Sequence, residues 1–258
     1  FQEIGGEKVN VALIVFKKTK DNSLDSTFFK LVEYPYESKI HALISKKNPI
    51  IMNQSDFRII PDNPFVYWIG KNFRSLFSKC EDFSKSAKVA TRTKTANNDR
   101  YLRFFWEVLS NKTDYFNWSF YTKGGKSNKW FGNLNYCVRW DDVTQDYFRE
   151  NPDCRITDEE YRNKMGITYS ATSGNGFAAR YVPPFCVYDV KGPTFVPNDI
   201  SKLYFFLGYL NSFFTSYCLN LLNPTLEIQT GDLERIPILS ISNEAFLNVS
   251  TYAKIATK

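Results

Sequence analysis

Histidine is almost absent from this 258-residue sequence, since His41 stands alone, and the five cysteines (Cys80, Cys137, Cys154, Cys186 and Cys218) lie far apart without a C-x-x-C. One imidazole and scattered thiols do not supply the clustered ligands of a structural zinc site, and they argue equally against Cys–His nucleophilic catalysis. An odd set of widely spaced cysteines suits reduced, mostly buried thiols and a cytoplasmic location. Internal repeats, low-complexity tracts and a signal peptide are missing too. The chain opens at Phe1 inside an apolar pattern, as expected of a piece of a longer parent. The longest uncharged run, Leu203 to Leu222, is interrupted by Asn211, Ser212, Thr215, Ser216 and Asn220. Its large residues Leu203, Phe206, Leu207, Leu210, Phe213, Phe214, Tyr217 and Leu221 fall on one helical face. That pattern predicts one long buried helix over 200–222, not a membrane span.

The sequence is instead rich in aromatics, at 17%, with charged residues at 23% and a formal net charge of +6. The length suits one large domain, or one domain with short appendages, and a folded chain of this size buries roughly 70–75% of its unfolded surface without metal or disulfide staples. A basic balance fits a polyanionic partner, because phosphate contacts dominate nucleic-acid affinity, and it fits an ordinary solvated surface as well. Apolar β-branched runs predict strands at 8–16 and 27–33 joined by a hairpin link. Helical spacing marks 40–44 and 71–83, on either side of a Pro- and Asn-rich stretch at 48–64. Asn97-Asn98-Asp99 offers N-caps to a helix over Tyr101–Leu109, and Thr157 with Glu160 reads as a capping box. Further strands are expected at 135–140, 167–172, 177–182, 185–190 and 225–229, and a helical pattern closes the chain. Irregular interleaving of this kind predicts a mixed α+β fold.

The chain lacks the parts that amino-group methyl transfer requires. Its two approaches to an [N/D]-P-P-[Y/F] loop are Asp62-Asn63-Pro64-Phe65, which misses the second proline, and Val182-Pro183-Pro184-Phe185, which misses the polar first residue. No glycine-rich strand-to-helix turn followed by an acidic residue is present to hold a cofactor. Gly174-Asn175-Gly176 lies between strand patterns and reads as a hairpin turn.

Three segments carry a different chemistry. In 92–103, Arg92, Lys94, Arg100 and Arg103 are interleaved with Thr93, Thr95, Asn97 and Asn98, a mixture suited to phosphate and base-edge contacts and equally to a capped, solvated helix start. In 121–133, Gly124 and Gly125 permit close backbone approach among Lys123, Lys126 and Lys129, beside the flat rings of Trp130 and Phe131. An ordinary turn with surface lysines would look the same. In 166–181, Thr168, Tyr169, Ser170, Ser173, Asn175 and Arg180 form a polar ribbon of a kind that can read a DNA groove, or simply a polar hairpin.

Taken in order, these segments resemble the C-terminal part of the PglX-type adenine-specific DNA methyltransferases of BREX phage-defence systems, whose layout is shared with type IIG and IIL restriction–modification enzymes. The resemblance rests on Phe1-Gln2-Glu3-Ile4-Gly5-Gly6-Glu7, Thr95-Ala96-Asn97-Asn98-Asp99-Arg100-Tyr101, Lys123-Gly124-Gly125 with Lys129-Trp130-Phe131-Gly132-Asn133, and Gly166-Ile167-Thr168-Tyr169-Ser170 with Phe177-Ala178-Ala179-Arg180-Tyr181. Leu207-Gly208-Tyr209-Leu210-Asn211-Ser212, Asn223-Pro224-Thr225 and Ile236-Pro237-Ile238 complete it. It implies a target-recognition-domain-like fold in which 1–35 is a remnant of the methyltransferase domain, 36–88 a connector, 89–240 the DNA target-recognition domain and 241–258 the start of a helical segment. It implies double-stranded DNA as partner, with Arg92, Lys94, Asn97, Asn98, Arg100, Arg103, Lys123, Lys126, Lys129, Trp130, Thr168, Tyr169, Ser170, Ser173, Asn175 and Arg180 as its contacts. S-adenosylmethionine is implied for the parent and no cofactor for this piece. The parent's methyltransferase domain is a further expected partner, and docking onto other defence-complex subunits or a phage inhibitor is the alternative role.

Overall fold

A computed structural model describes residues 12–15, 18, 25–110, 115–172, 176–223 and 225–258, and the chain divides into two compact units, Phe1–Lys79 and Cys80–Lys258. In the first unit, β1 (Asp25–Phe28) is followed by α1 (Tyr36–Ile44), which begins directly after Pro35, a residue with its φ already set near the helical value. β2 (Ile50–Asn53) pairs antiparallel with β1, placing Phe28 opposite Ile50 and Asp25 opposite Asn53. The Asn53 side chain accepts from the Ser55 amide and starts a 3₁₀ turn, Gln54–Ile59. Phe28 stacks on Tyr67 at 4.7 Å and meets Phe57 edge-on. The strand expected at 27–33 is therefore β1, shorter and shifted, and its partner comes from the Pro- and Asn-rich stretch. Of the 8–16 run, 8–11 and 16 lie outside the described residues, and 12–15 forms no strand. An apolar run shows strand character but not its mate, which is set by tertiary register. The helix expected over 71–83 is two short ones, α2 (Lys71–Arg74) and α3 (Leu76–Lys79).

In chain order the second unit carries β3 (Ala87–Val89), α4 (Asn98–Tyr101), β4 (Leu102–Phe104), α5 (Phe105–Ser110), β5 (Trp118–Thr122), β6 (Tyr136–Arg139), α6 (Asp142–Glu150), β7 (Gly166–Tyr169), β8 (Ala179–Val182), β9 (Cys186–Tyr188), β10 (Thr194–Pro197), α7 (Leu203–Leu210), α8 (Phe213–Leu222), α9 (Thr230–Glu234) and α10 (Asn243–Ala256). Among the described residues, one sheet has the order β3-β10-β7-β8 and is antiparallel throughout; the other, β4-β6-β5-β9, gains a parallel pair where Tyr121 faces Val187. The fold is mixed α+β.

Leu102, Tyr121, Val138 and Val187 of the second sheet form a core with Tyr101 and with Phe148 of α6. Asp141 caps α6 by accepting from the Thr144 amide. Burial works against its charge, but the bonds from Thr144 and the Arg139 guanidinium prevail and hold its carboxyl below the usual range. Cys186 and Tyr188 of the same sheet pack with Val182 and Val196 of the first. On the first sheet, Phe83 is held between Phe195 and Phe206 of α7, at 5.2 and 5.4 Å. α10 crosses α7 at Gly208, where an added Cβ would lie 2.6 Å from Val249 Cγ1. The start of this unit is tied to the segment that precedes α10: the Phe83 amide donates to Ile236 O at 2.9 Å and the Ile238 amide to Glu81 O at 2.8 Å.

Several expected elements change shape. The single helix over 200–222 is α7 and α8, split at Asn211-Ser212. Ser212 accepts from the Thr215 amide and so caps a new helix, and Phe213, assigned to the buried face, is 84% exposed. Asn97 does cap, accepting from the Arg100 amide at 3.0 Å, but the helix it opens lasts one turn before β4. Thr157 makes no capping box. Its amide donates to Thr93 Oγ1 and its hydroxyl pairs with the same atom, leaving only a 3₁₀ turn at Glu159–Tyr161. In place of the strand at 225–229 there is one bridge, Glu227 to Thr172.

Candidate functional site

The glycine-rich segment 123–133 links β5 to β6 and is braced along its whole length. Gly124 passes so close to the 190–192 turn that a Cβ would lie 2.6 Å from the Lys191 carbonyl oxygen. Asn128 Nδ2 donates to Asn133 Oδ1 at 2.8 Å, and Asn133 Nδ2 donates to Lys126 O at 2.9 Å. Gly132 and Asn133 take positive φ, +126° and 60°, which turns the chain back toward β6. The Trp130 backbone then pairs with the outer edge of β8, its amide donating to Ala179 O and its carbonyl accepting from the Tyr181 amide. Asn211, freed by the break between α7 and α8, closes the same edge: its side chain accepts from Ala179 N at 3.0 Å and donates to Ala179 O at 2.9 Å.

The three lysines of this loop are not equivalent. Lys126 and Lys129 are exposed, while Lys123 is half-buried with its ammonium 5.8 Å from the Tyr121 ring centre. The Lys129 ammonium donates to the Asn211 carbonyl at 3.0 Å, at the C-terminal end of α7 where carbonyls favour a cation.

The ribbon departs from the sequence expectation. Thr168, Tyr169, Ser170 and Arg180 are all buried, Arg180 with no accessible surface, so none presents an atom to a groove. Thr168 donates to Pro193 O, Tyr169 to Ile228 O, and Ser170 Oγ accepts from both the Gly125 amide and Arg180 Nη2. The physical reason is that β7 lies inside its sheet and is covered on both faces, so polar residues on it become internal ties. Ser173 and Asn175 lie outside the described residues.

The segment 92–103 is divided between two places. Arg92 is half-buried, its Nη1 3.5 Å from Val190 O, on the wall of a cleft of about 210 Å³ shared with Tyr169, Lys191, Glu227, Gln229 and Thr230. Lys94 is exposed beside a backbone bridge to Arg155, and Asn98 accepts from the Thr95 hydroxyl. Arg100 and Arg103, both exposed, belong to the other sheet. The Arg100 guanidinium lies 5.1 Å from the Tyr101 ring and 5.8 Å from that of Tyr147, and Arg103 lies 6.0 Å from the Trp118 ring. The fold thus interlocks the glycine-rich loop with the ribbon and sets Arg92 beside the ribbon's Tyr169. It holds Arg100 and Arg103 on different supports.

Sequence reasoning missed Asn211, although a polar residue inside an apolar stripe was its signal. It also missed a buried network in which the Tyr121 hydroxyl lies 2.7 Å from both Asp189 Oδ1 and Thr93 O. Burial, and then the Asp189 charge, push the Tyr121 hydroxyl well above its ordinary pKa. Among the described residues no group of three or more His, Cys, Asp or Glu is placed to hold a metal ion, and no helix is long and apolar enough to cross a membrane.

No family model matches the sequence. Two curated proteins do. The adenine-specific methyltransferase PglX of Lacticaseibacillus casei (strain Zhang) is 30% identical over 266 residues, covering 92% of this chain and 22% of the relative. The adenine-specific methyltransferase BrxX of Escherichia coli O9:H4 (strain HS) is 29% identical over 247 residues, covering 93% of this chain and 20% of the relative. The chain spans about a fifth of the length of the curated relatives it matches. Along nearly its whole length, then, this chain is homologous to a segment of the PglX-type adenine-specific methyltransferases.

Proposed function

We propose that this chain is the DNA-recognition portion of a PglX-type adenine-specific DNA methyltransferase, working in the cytoplasm within a BREX phage-defence or related restriction–modification system. The observation that supports it most is the glycine-rich loop, which presents exposed Lys126 on a scaffold braced by Asn128 and Asn133. A rigid basic loop is suited to backbone phosphates, because it loses little freedom on binding. Arg92, Lys94, Arg100 and Arg103 extend the cationic set, Asn97 and Asn98 lie between them, and exposed Lys129 and half-buried Trp130 anchor the loop to Asn211 and β8. Ser173 and Asn175 are the ribbon positions assigned to base edges. In this reading S-adenosylmethionine and methyl transfer belong to the methyltransferase domain of the parent, and this chain supplies target choice.

The test is titration of the chain with duplex DNA across a salt series, with and without the parent's methylation site. Each phosphate neutralised should contribute about −0.9 to the slope of log affinity against log salt. Binding that is absent, or indifferent to salt, would refute the proposal. The alternative, docking onto another subunit or a phage inhibitor, draws on one observation: α10 leaves Leu247, Tyr252 and Ile255 exposed while its other side packs on α7. Such a role predicts salt-tolerant association with protein and none with DNA.

A further inference from the structure

Arg180 has no accessible surface, lies in no ion pair among the described residues, and leaves its Nε without a hydrogen-bond partner. A buried cation without an anion is costly, and an apolar side chain of similar length would fill the same space at less cost. Burial alone drives its pKa down to about 10, so the group still carries its charge at neutral pH. What an apolar replacement would not reproduce is the fork. Nη2 donates to Ser170 Oγ at 3.1 Å, and that oxygen also accepts the Gly125 amide at 3.1 Å. Nη1 reaches Asn128 O at 3.4 Å. One guanidinium therefore touches the glycine-rich loop directly at Asn128 and reaches Gly125 through Ser170, one tie on each side of Lys126, while the backbone at Arg180 bridges Trp130.

We infer that Arg180 is a positioning residue that fixes the shape of the 124–130 loop from below, so that Lys126 is presented in one place, and that its own charge touches no phosphate. The inference rests on the DNA-recognition reading for its functional consequence. The fork geometry is the essential property, since an ammonium is a point donor and does not hold two separated acceptors in the same plane.

Three variants of the full 258-residue chain, Arg180→Met, Arg180→Lys and Ser170→Ala, are compared with Lys126→Ala. The readouts are amide hydrogen exchange over 124–130 and affinity for a mixed-sequence DNA duplex across a salt series. Arg180→Met should speed loop exchange and weaken DNA binding about tenfold while leaving the salt slope unchanged. Lys126→Ala should lower the slope by about one and leave exchange alone. Arg180→Lys should not restore the loop. The inference is overturned if Arg180→Met lowers the slope as Lys126→Ala does, if loop exchange stays as in the unaltered chain, or if lysine restores both readouts. Should Arg180→Met lose its cooperative melt, Ser170→Ala, which removes one tie only, decides on the same criteria. If the unaltered chain bound no DNA, the recognition reading would fall, and the functional half of this inference with it. The exchange data would still decide whether Arg180 pins the loop.

Discussion

Replacing Asn211 with leucine removes one side chain from two hydrogen bonds at the edge of β8 while nearly preserving its volume. The Ala179 amide has the Asn211 oxygen as its acceptor at 3.0 Å, and Asn211 is only 6% exposed, so water does not readily take its place. Stranding a buried donor costs roughly 1–3 kcal/mol. The Ala179 carbonyl fares better, because it keeps the Trp130 amide at 2.9 Å, and losing its second donor costs about 1 kcal/mol. Burying leucine offsets roughly 1 kcal/mol of this. The net loss is about 1–3 kcal/mol, which for a unit of this size lowers the melting temperature by roughly 2–12 °C. Thermal unfolding followed by circular dichroism measures it, with Asn211→Asp as the control. Aspartate keeps the acceptor but sets a buried carboxylate against the Ala179 carbonyl, so it should be worse than leucine at neutral pH and recover toward acid. A leucine variant melting within about 1 °C of the unaltered chain would refute the reasoning, since the edge would then be held by Trp130 alone.

Other consequences are as specific. At Gly192 an added Cβ would lie 1.8 Å from the Thr122 carbonyl oxygen, so Gly192→Ala should cost at least about 3 kcal/mol by denaturant unfolding. Lys129→Ala should reduce stability by about 1 kcal/mol and change the DNA salt slope less than Lys126→Ala, because its ammonium is already bound to Asn211 O. Burial raises the pKa of Tyr121, Tyr169, Tyr188 and Tyr209, and moves Cys186 and Cys218 up to about 12. The folded chain therefore keeps protons that the unfolded chain releases, and stability present below pH 9 should fall as pH rises, first with the thiols and then, above pH 10, with the tyrosines. Each group contributes up to about 1.4 kcal/mol per pH unit in its window, and a melting temperature that held steady from pH 8 to 11 would contradict this.

The sequence disclosed elements better than it disclosed neighbours. The strand patterns at 135–140, 167–172 and 177–182 are enough to find β6, β7 and β8, and Asn97 declares its cap. Pairing was another matter. β5 takes β9 as a parallel neighbour from far along the chain, and nothing local in either strand announces it. The same limit governed the site. Thr168, Ser170 and Arg180 have the composition of a groove-reading surface, and only the covering of both faces of β7 turned them inward. Asn211 and Ser212 read as blemishes in one helix, whereas they are the joint between two.

The clasp between Glu81–Phe83 and Ile236–Ile238 bears on how such a unit is inherited. Because these two segments are already hydrogen-bonded to each other, the chain between them is a closed excursion, and α10 is added to it beyond the clasp by packing on α7. Such a unit can be exchanged between relatives intact only if it is cut outside the clasp and carries α10 with it, since Phe246 and Val249 pack on α7. Grafts cut inside the clasp, taking β10 without β3, would carry an unpaired edge into their new host. Replacement of the whole unit should therefore preserve a cooperative melt better than piecemeal transfer of the glycine-rich loop.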